Sequence, residues 1–118
     1  VMVPDEIEQI RAVLRDCADV RHINLILTTG GTGLSPRDVT PEATLDVLDR
    51  EIHAIPVAMW MEGLKITPRA MLSRAVAGTR GSSLIINLPG SEKAARENLG
   101  AVIGALEHAL HMIAAEEH

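Results

Sequence analysis

The run Ile23-Asn24-Leu25-Ile26-Leu27-Thr28-Thr29 leads without a break into Gly30-Gly31-Thr32-Gly33, and this junction limits what the chain can fold into. A short apolar stretch bounded by turn residues reads as a buried strand, and glycines at its end strip side-chain bulk from the turn that follows. A second junction of the same kind lies at Ser83-Leu84-Ile85-Ile86-Asn87-Leu88, where Pro89-Gly90-Ser91 turns the strand into a final helix. Between and around these strands the apolar residues recur at helical spacing. Ile7, Ile10, Val13, Leu14 and Cys17 make one stripe on a helix over about 5–19, begun by Pro4-Asp5-Glu6. Thr40-Pro41-Glu42 supplies an N-cap, a first-turn proline and an early acid for a helix running to about Arg50. Further helices are expected from Pro56 and, more briefly, from Pro68-Arg69-Ala70, and Ala75-Val76-Ala77 offers a third strand. Leu99, Val102, Ile103, Leu106, Leu110 and Ile113 stripe the last helix to its end.

Helices alternating with strands that end in glycine loops predict an α/β fold. It is expected to be doubly wound, with a largely parallel sheet, helices on both faces and the loops at strand C-terminal ends, because parallel neighbours need crossover helices. The 118 residues suffice for one domain. Two well-marked strands are few for such a sheet, so an N-terminal strand and helix are expected to be missing before Val1 or supplied by another chain.

Composition narrows the function classes. Trp60 is the sole aromatic residue among Phe, Tyr and Trp, and the net charge of −5 comes from 16 acidic and 11 basic residues. Stacking platforms for bases and a general attraction to nucleic acid or anionic membrane are therefore not expected. A lone cysteine, Cys17, excludes an intramolecular disulfide. Neither a signal-peptide layout nor about 18 uninterrupted apolar residues is present, so a soluble cytoplasmic protein is the expectation.

The chemistry is concentrated in Thr28-Thr29-Gly30-Gly31-Thr32-Gly33-Leu34-Ser35-Pro36-Arg37-Asp38-Val39-Thr40-Pro41. Backbone N–H groups freed at a strand end, with threonine hydroxyls, suit phosphate oxygens. Arg37 suits the charge of a phosphate, and Asp38 suits Mg²⁺. No Gly-Lys-Ser/Thr follows, and Pro36 stands where a dinucleotide fingerprint has its third glycine. The plainer alternative is a tight turn with a surface ion pair. Asn87-Leu88-Pro89-Gly90-Ser91 would form a second wall of one crevice or be ordinary helix capping. Arg74 either reaches an anion or is simply solvated.

Taken together, Thr28 to Pro41, Ser73-Arg74-Ala75-Val76-Ala77-Gly78 and Asn87-Leu88-Pro89-Gly90-Ser91 resemble the molybdenum cofactor biosynthesis family, in particular molybdopterin adenylyltransferase-like domains related to the gephyrin G domain. The resemblance implies a trimer and adenylyl transfer from Mg-ATP to molybdopterin. It implies that Thr29, Gly30, Gly31, Thr32, Gly33 and Arg37 line a nucleotide or pterin phosphate site. Asp38 would be the catalytic and Mg²⁺-associated acid, and Ser73 with Pro89, Gly90 and Ser91 would border the pocket. A first strand carrying a second important acid has no counterpart here, which puts turnover in question. Glu92, Gly104 and Glu107 stand where the family would have prolines, which lets the last helix run on unbroken.

The departure with the sharpest alternative reading is His53-Ala54-Ile55-Pro56-Val57-Ala58-Met59-Trp60-Met61, where charged residues would be usual near positions 57 and 60. On a helix, Val57, Trp60, Met61 and Leu64 share one face, and Met59 and Ile66 lie nearer the other. Such a helix is core, a native trimer contact, or an acquired or engineered interface of a larger assembly. The second functional reading is accordingly a non-catalytic trimeric scaffold that docks a partner through Val57, Trp60 and Met61. Of the five histidines, His108 and His111 share a helix face with His118 beyond, too few for a metal set and expected to be solvated. Cys17 is expected in the core, and Met2, Met59, Met61, Met71 and Met112 as core or interface fillers.

Overall fold

The computed structural model describes residues 1–115; His118 lies outside the described residues. In chain order the elements are α1 (Ile7–Arg15), β1 (Leu25–Thr29), α2 (Thr40–Val47), β2 (Arg50–Glu51), α3 (Ala54–Leu64), β3 (Ala77–Arg80), β4 (Ser83–Leu88) and α4 (Glu92–Ala115). A π-helical turn, Asp16–Val20, extends α1, and a 3₁₀ turn, Pro68–Leu72, follows α3.

The sheet order is β1-β4-β3-β2, which puts β4 in the interior. All six residues of β4 are buried because both faces are covered. Alternation along the strand sends Leu84, Ile86 and Leu88 to one side, against Met59 of α3 and Val102 and Leu106 of α4. Ile85 points the other way, into a cluster with Ile10 and Leu14 of α1 and Ala43 and Val47 of α2. Helices therefore lie on both faces of an α/β sheet, as the alternation of elements implies.

Within the sheet, the two strands that the sequence marks most clearly, β1 and β4, pair in parallel, with Leu25 opposite Leu84 and Thr29 opposite Leu88. The remaining pairings are antiparallel. The reason is local: Gly81 and Ser82 alone connect β3 to β4, and so short a connection closes only a hairpin. Gly81 provides the positive φ, 55°, that such a turn uses.

Two element boundaries differ from the periodicity. The helix expected to reach about Arg50 stops at Val47, and Arg50–Glu51 becomes an edge strand. Its neighbours pair with β3, since the N–H of Asp49 donates to Thr79 O at 2.7 Å and that of Ile52 to Ala77 O at 2.8 Å. An otherwise open sheet edge thus outcompetes another helical turn. The strand expected at Ala75-Val76-Ala77 is displaced and occupies Ala77–Arg80. A further difference concerns burial: Ile103 on α4 is exposed although its stripe neighbours Val102 and Leu106 are buried. Of the methionines expected as core or interface fillers, Met59 is in the core and Met2, Met61, Met71 and Met112 are exposed.

Candidate functional site

The glycine loop leaves the C-terminal end of β1 beside the parallel strand β4. Gly30 and Gly31 take φ of 86° and 70°, values that L side chains rarely adopt. At Gly31 a Cβ would also lie 2.2 Å from Thr40 Oγ1, so the loop packs onto the start of α2 through the space that the missing side chain leaves. Opposite it, the turn after β4 comes close: a Cβ on Gly90 would lie 3.3 Å from Gly30 Cα. The Gly30 N–H donates to Leu88 O at 3.0 Å and ties the two strand ends together. Two glycine turns at adjacent parallel strand ends are therefore in direct contact, the position at which open α/β sheets take ligands.

Past the glycines the loop is held by its own polar groups. The Ser35 N–H donates to Asp38 Oδ2 at 3.0 Å, the Asp38 N–H returns to Ser35 O at 2.9 Å, and the Arg37 N–H meets Ser35 Oγ at 3.3 Å. This turn fixes the half-buried Asp38 carboxylate and leaves the Arg37 side chain exposed. It also refines the ion-pair alternative, since no salt bridge joins Arg37 to Asp38 among the described residues. Thr32 is buried and Thr29, at the end of β1, is exposed.

The cation that engages the loop is Arg74. Its Nε donates to Gly33 O at 2.8 Å, its Nη2 to Asp38 O at 2.6 Å, and its Nη1 to Glu42 Oε2 in the first turn of α2. Its own N–H donates to Thr32 O at 2.8 Å. The hydrogen bond from Arg74 holds the Glu42 carboxyl below its usual range, against a smaller opposing push from burial. The anion that Arg74 reaches is thus a side chain of the protein. Glu42 is visible in the sequence only as a first-turn acid, and its pairing across 32 residues has no local signature.

A second device is missed by spacing and visible by composition. Asn87 is a polar residue in a strand buried along its whole length. Its Nδ2 donates to Thr28 Oγ1 at 2.9 Å and to Thr44 Oγ1 at 3.0 Å, while its Oδ1 accepts from the Val76 N–H at 3.1 Å. One amide thereby joins β1, α2 and the entry to β3, the bonds to Thr44 and Val76 being buried and the bond to Thr28 part-buried.

The residues expected to share one pocket are not brought into one: some are divided between two cavities, and Thr32, Gly33, Arg37, Asp38 and Gly90 line neither of these. Ser73, Pro89 and Ser91 line a cleft of about 430 Å³ together with Met59, Trp60 and Lys93. Thr29, Gly30 and Gly31 line a groove of about 410 Å³ beside β1, which is the sheet edge among the described residues. Ser73 Oγ accepts from the Ala75 N–H at 3.2 Å, and Ser91 Oγ caps α4 by accepting from the Ala94 N–H at 3.2 Å. Capping and cleft lining are therefore both roles of Ser91.

The face assigned to Val57, Trp60 and Met61 is also divided. Val57 and Met61 are exposed at 42% and 65%, whereas Trp60 is half-buried in the cleft wall with its indole nitrogen enclosed and without a partner. Among the described residues no group of three or more His, Cys, Asp or Glu is placed to hold a metal ion. In the same residues no helix is long and apolar enough to cross a membrane.

Fold and site together define an α/β domain with paired glycine turns at adjacent strand ends. The family model described as "Probable molybdopterin binding domain" matches residues 1–108, and the chain belongs to that family. It is 54% identical to gephyrin of Dictyostelium discoideum over 112 residues, 95% of this chain and 16% of that protein. It is 46% identical to the molybdopterin adenylyltransferase of Haemophilus influenzae over 101 residues, 86% of this chain and 51% of that protein. The chain thus spans about half or less of these two relatives. Among solved structures, the molybdopterin biosynthesis enzyme MoaB from Thermus thermophilus is similar at a TM-score of 0.88 and 56% identity, over 93% of this chain and 69% of that one.

Proposed function

We propose that the chain acts in molybdenum cofactor biosynthesis and that its site transfers an adenylyl group from Mg-ATP to molybdopterin. The observation that supports this most is the contact between the Gly30-Gly31 and Gly90 turns at adjacent parallel strand ends, where no Cβ stands between the two backbones. Phosphoryl chemistry asks for such positioning and charge neutralisation more than for covalent participation. In the proposed step a phosphate oxygen of molybdopterin attacks the α-phosphorus of ATP. The new P–O bond forms as the bond to the bridging oxygen breaks, and pyrophosphate leaves with that electron pair.

The donor set is compatible with this use. Asp38 Oδ2 is engaged by the Ser35 amide, and the carboxylate retains acceptor capacity for one cation position. Mg²⁺ arriving with ATP commonly needs only one or two protein carboxylates, the rest of its shell being phosphate and water. Gly31 to Gly33 and Thr29 would offer N–H and hydroxyl donors to phosphate, Gly30 would line the site with its N–H held by Leu88 O, and the exposed Arg37 would add a positive charge. Ser73, Pro89, Gly90 and Ser91 would border the bound substrates. A homotrimer and a cytoplasmic location belong to the same proposal.

The test is formation of adenylylated molybdopterin and pyrophosphate by the wild-type protein and by Asp38→Asn. The asparagine Oδ1 still accepts from Ser35 N–H, so the loop is retained while the charge is lost. A fall of about 100-fold or more with unchanged native mass is expected. Wild-type rates in this variant would overturn the assignment.

A second reading has its own observation, the exposure of Val57 and Met61 on α3. In that reading the domain is a trimeric building block that docks a partner protein or another trimer through the Trp60 side of α3. A native mass larger than a trimer, or a second chain in fixed ratio, supports it, and a trimer alone counts against it.

A further inference from the structure

Arg74 is the residue of the loop region whose role neither the glycine motif nor capping explains. Its side chain is 35% exposed, and the guanidinium bonds the loop's backbone carbonyls. Four of its five N–H donors go to two backbone carbonyls five residues apart, Gly33 O and Asp38 O, and to both oxygens of Glu42. The span between those carbonyls contains Ser35, Arg37 and the turn that orients the Asp38 carboxylate. A planar fork with several fixed donors suits such a bridge, and an ammonium, being a point charge, does not reproduce it.

We propose that Arg74 is a positioning residue: through Gly33 and Asp38 it sets the width of the 33–38 loop, and Glu42 anchors it to α2. This rests on the adenylyl-transfer reading for its consequence and not for its geometry. If the loop cradles a phosphate-bearing ligand, Arg74 acts on that ligand through the loop, without touching it. Loss of the guanidinium then relaxes the loop and misplaces Asp38, and an ångström of misplacement costs far more in turnover than in binding.

The test uses the full chain in three variants, Arg74→Ala, Arg74→Lys and Glu42→Gln, and the double variant Arg74→Ala/Glu42→Gln. Amide exchange without ligand reads the clamp directly. In Arg74→Ala the amides of residues 33–39 are expected to exchange at least about 10-fold faster, with those of β4 unchanged. Adenylyl transfer reads the consequence: kcat falls about 100-fold, Kd for Mg-ATP weakens only a fewfold, and lysine restores little of either. Glu42→Gln moves both readouts in the same direction by less, and the double variant is no worse than Arg74→Ala alone. A general loss of folded protein would also lower apparent kcat with Kd unmoved, so kcat is taken per folded molecule, and such a loss is recognised by faster exchange in β4 as well as in the loop. Should Arg74→Ala fold poorly, Glu42→Gln and Arg74→Lys still decide the question.

Unchanged exchange over 33–39, or additive effects of the two substitutions, overturns the proposal. A Kd loss rescued by lysine, with a reduced salt dependence of Mg-ATP binding, identifies Arg74 as an anion ligand and also overturns it. Faster loop exchange in Arg74→Ala, together with no adenylyl transfer by the wild-type protein, refutes the functional reading while the clamp stands.

Discussion

The glycine-loop end of the sheet and the outer face of α3 are built on opposite terms. At the loop end the unusual residues find partners inside the chain: Gly30 meets Gly90, Arg74 meets Glu42, and Asn87 meets Thr28 and Thr44. On α3, Val57, Met61 and Leu64 are exposed with no polar requirement to meet. Conformation at the loop end is over-determined by internal bonds, so its residues report on structure and site together. Residues on the α3 face contribute little to the fold, and what they contribute elsewhere has to be measured from outside.

The strongest attempt to break this contrast is Asn87→Leu. The substitution leaves the Val76 N–H without its acceptor and removes the bonds to both threonines in a fully buried setting. A loss of about 3 kcal/mol is expected from the denaturant midpoint, at the upper end for single polar deletions. A change within about 0.5 kcal/mol would mean that the loop end is not held by its buried amide. Gly31→Ala comes next, combining φ of 70° with a Cβ that would sit 2.2 Å from Thr40 Oγ1. About 2 kcal/mol is expected, measured in the same way.

How far these features were legible in the sequence follows from the range over which each is specified. The strand Ser83–Leu88 is read correctly from its residues because burial on both sides leaves the apolar run Leu84-Ile85-Ile86 at its centre. The parallel pairing with β1 and the helices on both faces follow from the alternation of elements. The end of α2 was not legible, because β2 exists only where the edge of β3 offers hydrogen bonds to Asp49 and Ile52. In the site, the glycines are visible locally since a positive φ has a residue preference. The pairing of Arg74 with Glu42 is not, because salt bridges between distant segments leave no mark on spacing. Asn87 lies between these cases: an amide in a buried strand announces a partner without naming it.

A smaller effect sharpens the contrast through pH. Glu42 titrates below its ordinary value near 4.5 in the folded protein because Arg74 bonds its charged form. Its contribution to stability is therefore complete above that ordinary value and is lost as pH falls through the lowered one. The side chain is 45% exposed, so the contribution is below about 1 kcal/mol. Glu42→Gln should flatten the stability profile below about pH 5 by that amount and leave its neutral-pH shape intact. An unchanged acid limb would assign the acid sensitivity to other carboxylates.

The smallest expected effect on folding belongs to Met61→Glu. Met61 is 65% exposed and four residues from Val57, so a charge there meets water and costs within about 0.5 kcal/mol. Trp60→Glu is a poorer probe of the same face, since Trp60 lies half-buried in the cleft wall and its loss would disturb packing and cleft at once. A protein–protein contact over Met61 responds quite differently from the fold, because burying an unpaired carboxylate in an apolar interface is strongly unfavourable. Native mass and thermal midpoint measured on one sample thus separate the two roles. A fall in mass with an unchanged midpoint makes the α3 face an interface. The same mass in both proteins leaves Val57 and Met61 as exposed apolar residues, and places the function of the domain at the loop end.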